Sequence, residues 1–278
     1  MPALASTKAY AAANHSRQEP PDRFADLLAA EWIKFRSVRS SYWALLCAAV
    51  PSILVGILIA QNTVSDWNNL IQHKEFHFDP LVYSFDGFQF SQLAVGVLGV
   101  LVISSEYASG LIRTTLAAVP HRRVVLAAKA VVLGAIALIG GQLLAFSAFF
   151  PVQAILHGIG KGLSITNPGA LRATTAAGLY LAVIALIGLA LGALVRHTAA
   201  GIAALFGLIF LLPGVISAFP APWSDRIGKF MPTNLAAQLI SQQPHAAMFS
   251  RPWSLMVLVL YPVILLLAAG YALERRDA

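Results

Sequence analysis

Six apolar stretches, each about as long as a bilayer is thick, leave this chain little choice of fold. They run over residues 42–60, 88–105, 130–156, 173–195, 199–218 and 253–273. A helix needs about 20 such residues to cross the hydrocarbon core, and helices satisfy their own backbone there. Composition agrees: the 278 residues are 58% hydrophobic and 11% charged, with mean hydropathy +0.72. Soluble domains lie at roughly 45–50% apolar and about 25% charged. The fold class expected is an all-α integral membrane protein with six transmembrane helices. Pro213 and Pro262 fall inside the fifth and sixth runs, where neighbouring helices let a proline kink a span without ending it.

Lysine and arginine set the orientation. Thirteen fall on the side holding the N-terminal segment, residues 106–129, Arg196 and the C-terminal tail; 6 fall on the other. The richer side is the cytoplasmic one, so both termini are expected inside, with multi-pass insertion in a plasma membrane. The net charge of +7 forms no stripe of the kind that binds nucleic acid, and no nucleic-acid partner is expected. Cys47 is the only cysteine, which excludes an intramolecular disulfide and a cysteine-based metal site.

Residues 1–23 lack a continuous apolar core and read as a disordered cytoplasmic tail, not a signal peptide; residues 274–278 form the second tail. Over 24–41, Phe24, Leu27, Leu28, Trp32 and Phe35 recur at helical spacing, while Lys34 and Arg36 fall elsewhere. An amphipathic helix lying in the inner interface is predicted, its bases turned to anionic lipid. Residues 42–273 then form the six-span domain. In the outer segment 219–252, Thr233 is expected to cap a short helix through Leu235 and Ile240.

The spans hold almost no ionisable groups, which argues against intramembrane catalysis. "HKEFH" at 73–77 puts Glu75 in the wrong slot for a zinc-protease helix, and no Gly-x-Ser-x-Gly elbow occurs. "HGIGKGLS" at 157–164 fails as a phosphate loop, because Ile155 and Gly162 stand where glycine and Ser/Thr are needed. No catalytic, cofactor-binding or metal-ligating residue is assigned. Small residues are plentiful instead: Gly96 and Gly99, Gly188 and Gly192, with Gly140–Gly141 interrupting the third span. Such residues let membrane helices approach closely. Gln142, deep in a span, is expected to hydrogen-bond across helices.

Charge gathers in "SSEYASGLIRTTLAAVPHRR", residues 104–123. A short helix over 110–119 would put Leu111, Ile112, Thr115, Leu116 and Val119 against the bundle and Gly110, Arg113, Thr114 and Ala117 toward the cytosol. Pro120 would stop it, and Arg122 and Arg123 would meet the headgroups. Glu106 comes as the apolar run ends, where a carboxylate is costly unless paired or hydrated. Arg113 lies seven residues on, about 10.5 Å along a helix, so a turn near Gly110 or a base from elsewhere is needed.

"LAVGVLGVLVISSEYASGLIRTTLAAVPHRRVVLAAKA" resembles the corresponding region of bacterial type-2 ABC transporter permeases: a second span ending in Glu-Tyr-x-x-Gly, a short cytoplasmic helix and a basic return. Here these are Glu106, Tyr107, Gly110 and Arg113, then Arg122, Arg123 and Lys129. "AEWIKFRSVRSSYWALL" resembles the family's lead-in helix, and "GLYLAVIALIGLALGALVRHTAAGIA" its fourth-to-fifth-span turn. The resemblance implies a homodimer or heterodimer of six-span subunits in a bacterial inner membrane, docked on separate ATP-binding subunits that hold ATP and Mg. The coupling interface it implies comprises Glu106, Tyr107, Gly110, Arg113, Thr114, Arg122 and Arg123, with Phe24, Leu28, Trp32, Lys34, Phe35 and Arg36 on the lead-in helix. The short outer segment 61–87 departs from relatives with a large extracellular domain. A membrane scaffold or immunity protein that does not pump, or an intramembrane enzyme, remains the alternative.

Overall fold

The computed structural model describes residues 24–37, 39–72, 78–119 and 121–275. The N-terminal tail, the "HKEFH" string with His73 and His77, and Pro120 lie outside them. Every regular element among the described residues is helical. In chain order these are α1 (Phe24–Ser37), α2 (Arg39–Ser65), α3 (Phe88–Ser109), α4 (Leu111–Ala118), α5 (Arg122–Leu156), α6 (Ala170–Val195), α7 (Thr198–Ser217), α8 (Ala221–Gly228), α9 (Pro232–Ile240) and α10 (Arg251–Arg275). Single helical turns at Trp67–Leu70 and Pro80–Tyr83 lie between α2 and α3. Among the described residues α3, α5, α6, α7 and α10 are long and apolar enough to cross a membrane. This is a multi-pass helical membrane protein. The first predicted span lies inside α2, whose apolar part is described from Ala49 to Ser65.

Sequence explains which helix is central. The α6 stretch is hydrophobic all round, and such a helix belongs in a core; 72% of its apolar window is buried, against 22% for α7 and for α10. Helices α3 and α5 flank it closely. At the α3/α6 crossing a Cβ on Gly99 would stand 2.0 Å from the Ala185 carbonyl oxygen, and one on Gly188 2.2 Å from that of Gly96. Gly192 lies against the Val100 carbonyl at the same crossing. All four predicted packing glycines therefore meet inside one chain. Gly140 and Gly141 do not interrupt the third span, contrary to expectation: α5 runs unbroken through both. At Gly141 the α6 backbone comes close enough that a Cβ would stand 2.6 Å from the Gly178 carbonyl. Its neighbour Gln142 donates from Nε2 to the Thr175 carbonyl of α6 at 3.0 Å. Two further polar side chains sit buried at span ends: Gln92 accepts from the Tyr180 hydroxyl, and Gln153 donates to the Pro80 carbonyl and Ser84.

The prolines act differently. Pro262, like Pro51 and Pro151, sits inside an unbroken α-helix. Just before Pro213, α7 widens into a π-helical turn at Gly207–Leu211. A proline clashes with the carbonyl four residues earlier and lacks an N–H, and a π-turn relieves both constraints.

Hydrogen bonds between distant segments stitch the far end of the bundle. Asp79 caps the Pro80–Tyr83 turn with one oxygen, accepting from Leu81 N at 3.0 Å, and with the other accepts from Ser241 Oγ at 2.8 Å and Gln242 N at 2.7 Å. Arg251 donates to the Ser241 and Gln242 carbonyls, and Arg172 to those of Leu239 and Ser241. The predicted short helix is there as α9, packed on α6 and α10, but Thr233 is not its cap. Pro232 stands at its first position, where a missing N–H costs nothing, and the buried Thr233 hydroxyl has no partner among the described residues.

Asp86, in the turn before α3, supplies a pH test. Burial pushes its carboxyl up to about 6. The folded state then holds more protons than the unfolded one between the ordinary value near 3.8 and about 6, so stability falls as pH rises across that window. At about 1.4 kcal/mol per unit the ceiling is about 3 kcal/mol, lowered by solvent screening of the exposed part. Asp86→Asn is expected to raise stability by about 1–2 kcal/mol at pH 7.5 and to leave it unchanged near pH 4. Thermal unfolding in detergent at both pH values reads this; an equal gap at the two would refute it.

Candidate functional site

Residues from three helices converge where α3 ends. Glu106 sits in the last turn of α3, Lys129 two turns into α5, and Glu31 and Lys34 three residues apart on one face of α1. Lys129 Nζ donates to Glu106 Oε1 at 2.6 Å and to Glu31 Oε2 at 2.8 Å. Lys34 Nζ donates to Glu31 Oε1 at 2.8 Å and Glu106 Oε1 at 3.1 Å. The result is a neutral quartet of two carboxylates and two ammonium groups. Lys129 is 1% exposed, a depth at which lysine is found only when paired. Burial alone would lower the Lys34 pKa, but the hydrogen bonds and charges of Glu31 and Glu106 outweigh it and hold the ammonium above its usual range. Glu106 Oε2 is buried with no hydrogen-bond partner among the described residues.

This geometry answers the cost of Glu106 differently from the sequence. Arg113 is exposed on α4 and takes no part. Lys34 turns inward, where lipid contact was expected. The stripe of α1 that packs on the bundle is Leu27, Leu28, Glu31, Lys34 and Phe35, while Phe24, Trp32 and Arg36 are exposed. Arg122 and Arg123 do not simply meet headgroups. Arg122 donates to the Leu273 carbonyl at 2.7 Å and Arg123 pairs with Glu274, so both bind the C-terminal end of α10, where cations are favoured.

Gly110 makes the corner between α3 and α4. Its backbone is left-handed (φ 72°), and a Cβ there would meet nothing within 4 Å. Glycine is needed for the conformation, not for the space. Beyond the corner, α4 buries Ile112 and leaves Arg113, Thr114 and Ala117 exposed, with Val119 buried just past its end. Leu111 is also exposed, although it was expected on the bundle face; it borders the cleft between α1, α3 and α5. Tyr107 lies under Arg196, whose guanidinium is 5.5 Å from the ring centroid, and its buried hydroxyl has no partner among the described residues. Arg196 is the one non-glycine among the described residues with positive φ, 57°. It ends α6 and its guanidinium reaches the Ala272 carbonyl at 3.4 Å.

No family model matches the chain, and no curated protein matches it.

Glu31, Lys34, Lys129 and Arg196 escaped the sequence reading in their true roles. For Glu31 a signal existed, since it falls on the packing stripe of α1. The quartet binds α1, the end of α3 and the start of α5 into one body, and a small cavity lined by Leu27, Thr115, Val119 and Val125 lies between that body and α4 with its C-terminal end.

Proposed function

We propose that this chain is the transmembrane permease subunit of an ATP-binding-cassette exporter. In this reading α2 supplies a sixth span, and both termini lie on the cytoplasmic side of a bacterial plasma membrane. ATP and Mg are bound by a separate subunit that docks on α4. Two such permease subunits, identical or different, make the path. The observation that carries the reading is the joint at residues 106–119. A short helix exposes Arg113, Thr114 and Ala117 and joins, through a left-handed glycine, the span whose last turn supplies Glu106 to a charge quartet tying the lead-in helix to two spans. A docking subunit that moves α4 would thereby move α1, α3 and α5 together.

The test is co-purification with a soluble protein carrying a Walker A motif, followed by ATPase assays of the reconstituted complex. Glu106→Ala and Gly110→Val are each expected to reduce transport-coupled ATPase activity roughly 5–150-fold, the usual range of coupling between sites. Nucleotide binding by the partner should be unchanged. Full coupling in both variants, or full function with the ATPase gene deleted, would refute the proposal and favour a non-pumping membrane scaffold.

A further inference from the structure

We propose that the cleft between α1, α3 and α5 binds an aminophospholipid from the adjoining leaflet, with the lipid ammonium on Glu106 Oε2 and its phosphate on Lys34. The cleft has a volume of about 440 Å³, within the usual span of ligand sites, about 300–1,000 Å³. Its lining is graded. Glu31, Lys34, Glu106 and Lys129 occupy one end, and Leu98, Leu101, Val102, Val132 and Leu133 the other. Leu98 precedes Glu106 by eight residues of α3, about 12 Å deeper into the bundle. Val132 and Leu133 follow Lys129 in the same direction along α5. The cleft therefore has the polarity of a single leaflet, head at the charged end and tail toward the centre. Leu101 and Leu111 are exposed at its mouth.

The head chemistry follows from what the quartet leaves open. Glu106 is 6% exposed, yet Oε2 has no partner among the described residues, and a buried carboxylate oxygen needs a donor. Lys34, at 37% side-chain exposure, is the ammonium that can still meet an anion. The quartet is neutral, so a zwitterionic head keeps the site neutral. An anionic head without an amine would press against two carboxylates. A primary ammonium donates N–H groups to Oε2, which a trimethylated one cannot do.

The proposal rests on the chain lying in a bilayer and not on transport, so its readout is lipid binding alone. The purified, delipidated protein is titrated with phosphatidylethanolamine, phosphatidylcholine and phosphatidylglycerol of identical acyl chains, followed by native mass spectrometry. Phosphatidylethanolamine should bind about tenfold more tightly than phosphatidylcholine, the size of one charge-assisted hydrogen bond. Glu106→Gln should erase that preference. Leu101→Trp, which fills the cleft away from the charges, should lower binding of phosphatidylethanolamine while the protein still melts cooperatively. Equal binding of the ethanolamine and choline lipids, tightest binding of phosphatidylglycerol, or ethanolamine-lipid binding untouched by Leu101→Trp would each overturn it.

Discussion

Replacing Lys129 with methionine is expected to cost about 3–5 kcal/mol of stability, the usual penalty for removing one partner of a buried ion pair. The reason lies in what remains. Glu31 and Glu106 would face each other at 8% and 6% exposure, with only the half-buried Lys34 between them. Either they repel or one takes up a proton, and both routes weaken the attachment of α1. The informative partner experiment removes the three buried charges together and leaves Lys34, 37% exposed, to water. Lys129→Met combined with Glu31→Gln and Glu106→Gln leaves no buried carboxylate, and neutral replacements of buried ion pairs are often neutral or stabilising. The triple variant should regain most of the lost stability. On the proposed function it should not regain coupling to the ATP-binding subunit, because the directional hold on α1 is gone. Thermal unfolding in detergent measures the first quantity and coupled ATPase activity the second. A single Lys129→Met variant that melts like the parent would mean the quartet does not hold the folded protein together.

The charged site shows where sequence reading stops. That Glu106 needed a partner was legible, because a carboxylate at the end of an apolar run is costly wherever the helices go. Which base answers it was not. Lys129 read as part of a basic return and Lys34 as a lipid-facing charge, since the direction a lysine points is set by what packs beside it. The stripe through Leu27, Glu31 and Lys34 was available at helical spacing, but the larger aromatics Phe24 and Trp32 drew the apolar face elsewhere. Spans were easier. Length and hydropathy place them because the bilayer, not the tertiary fold, is their solvent, and α5 exceeds its predicted start only because Arg122–Lys129 continues the helix past the apolar run. The stitching of Asp79 to Ser241 and Gln242 carried no local signal, since its partners lie more than 160 residues apart.

Gly99→Ala is expected to be among the most damaging single methyl additions in the protein. A Cβ at Gly99 would stand 2.0 Å from the Ala185 carbonyl oxygen, a backbone atom that moves only if α6 moves. Overpacking costs about 1–3 kcal/mol and occasionally more, and a clash with the most buried helix belongs at the upper end. Gly188→Ala should match it, since its methyl meets the Gly96 carbonyl at 2.2 Å. At Gly96 the nearest atom is Leu205 Cδ2, 2.6 Å away; a side-chain tip can swing, so Gly96→Ala should cost less. At Gly214 nothing lies within 4 Å, and alanine there should be neutral or gain up to about 1 kcal/mol in helix propensity. The order is the test, read from thermal unfolding of the four variants in one detergent, and Gly99→Ala melting alongside Gly214→Ala would refute the α3/α6 contact. The same geometry bears on assembly. Glycines that bring α3 onto α6 are spent inside the subunit and cannot also face a second copy. In the proposed two-subunit assembly, a second copy would instead meet the larger side chains left exposed on other helices, such as Leu211 and Val215 of α7 or Ile264 and Leu267 of α10. Alanine at Gly99 should therefore lower the stability of the monomer itself, and dilution of the protein should not enlarge the loss.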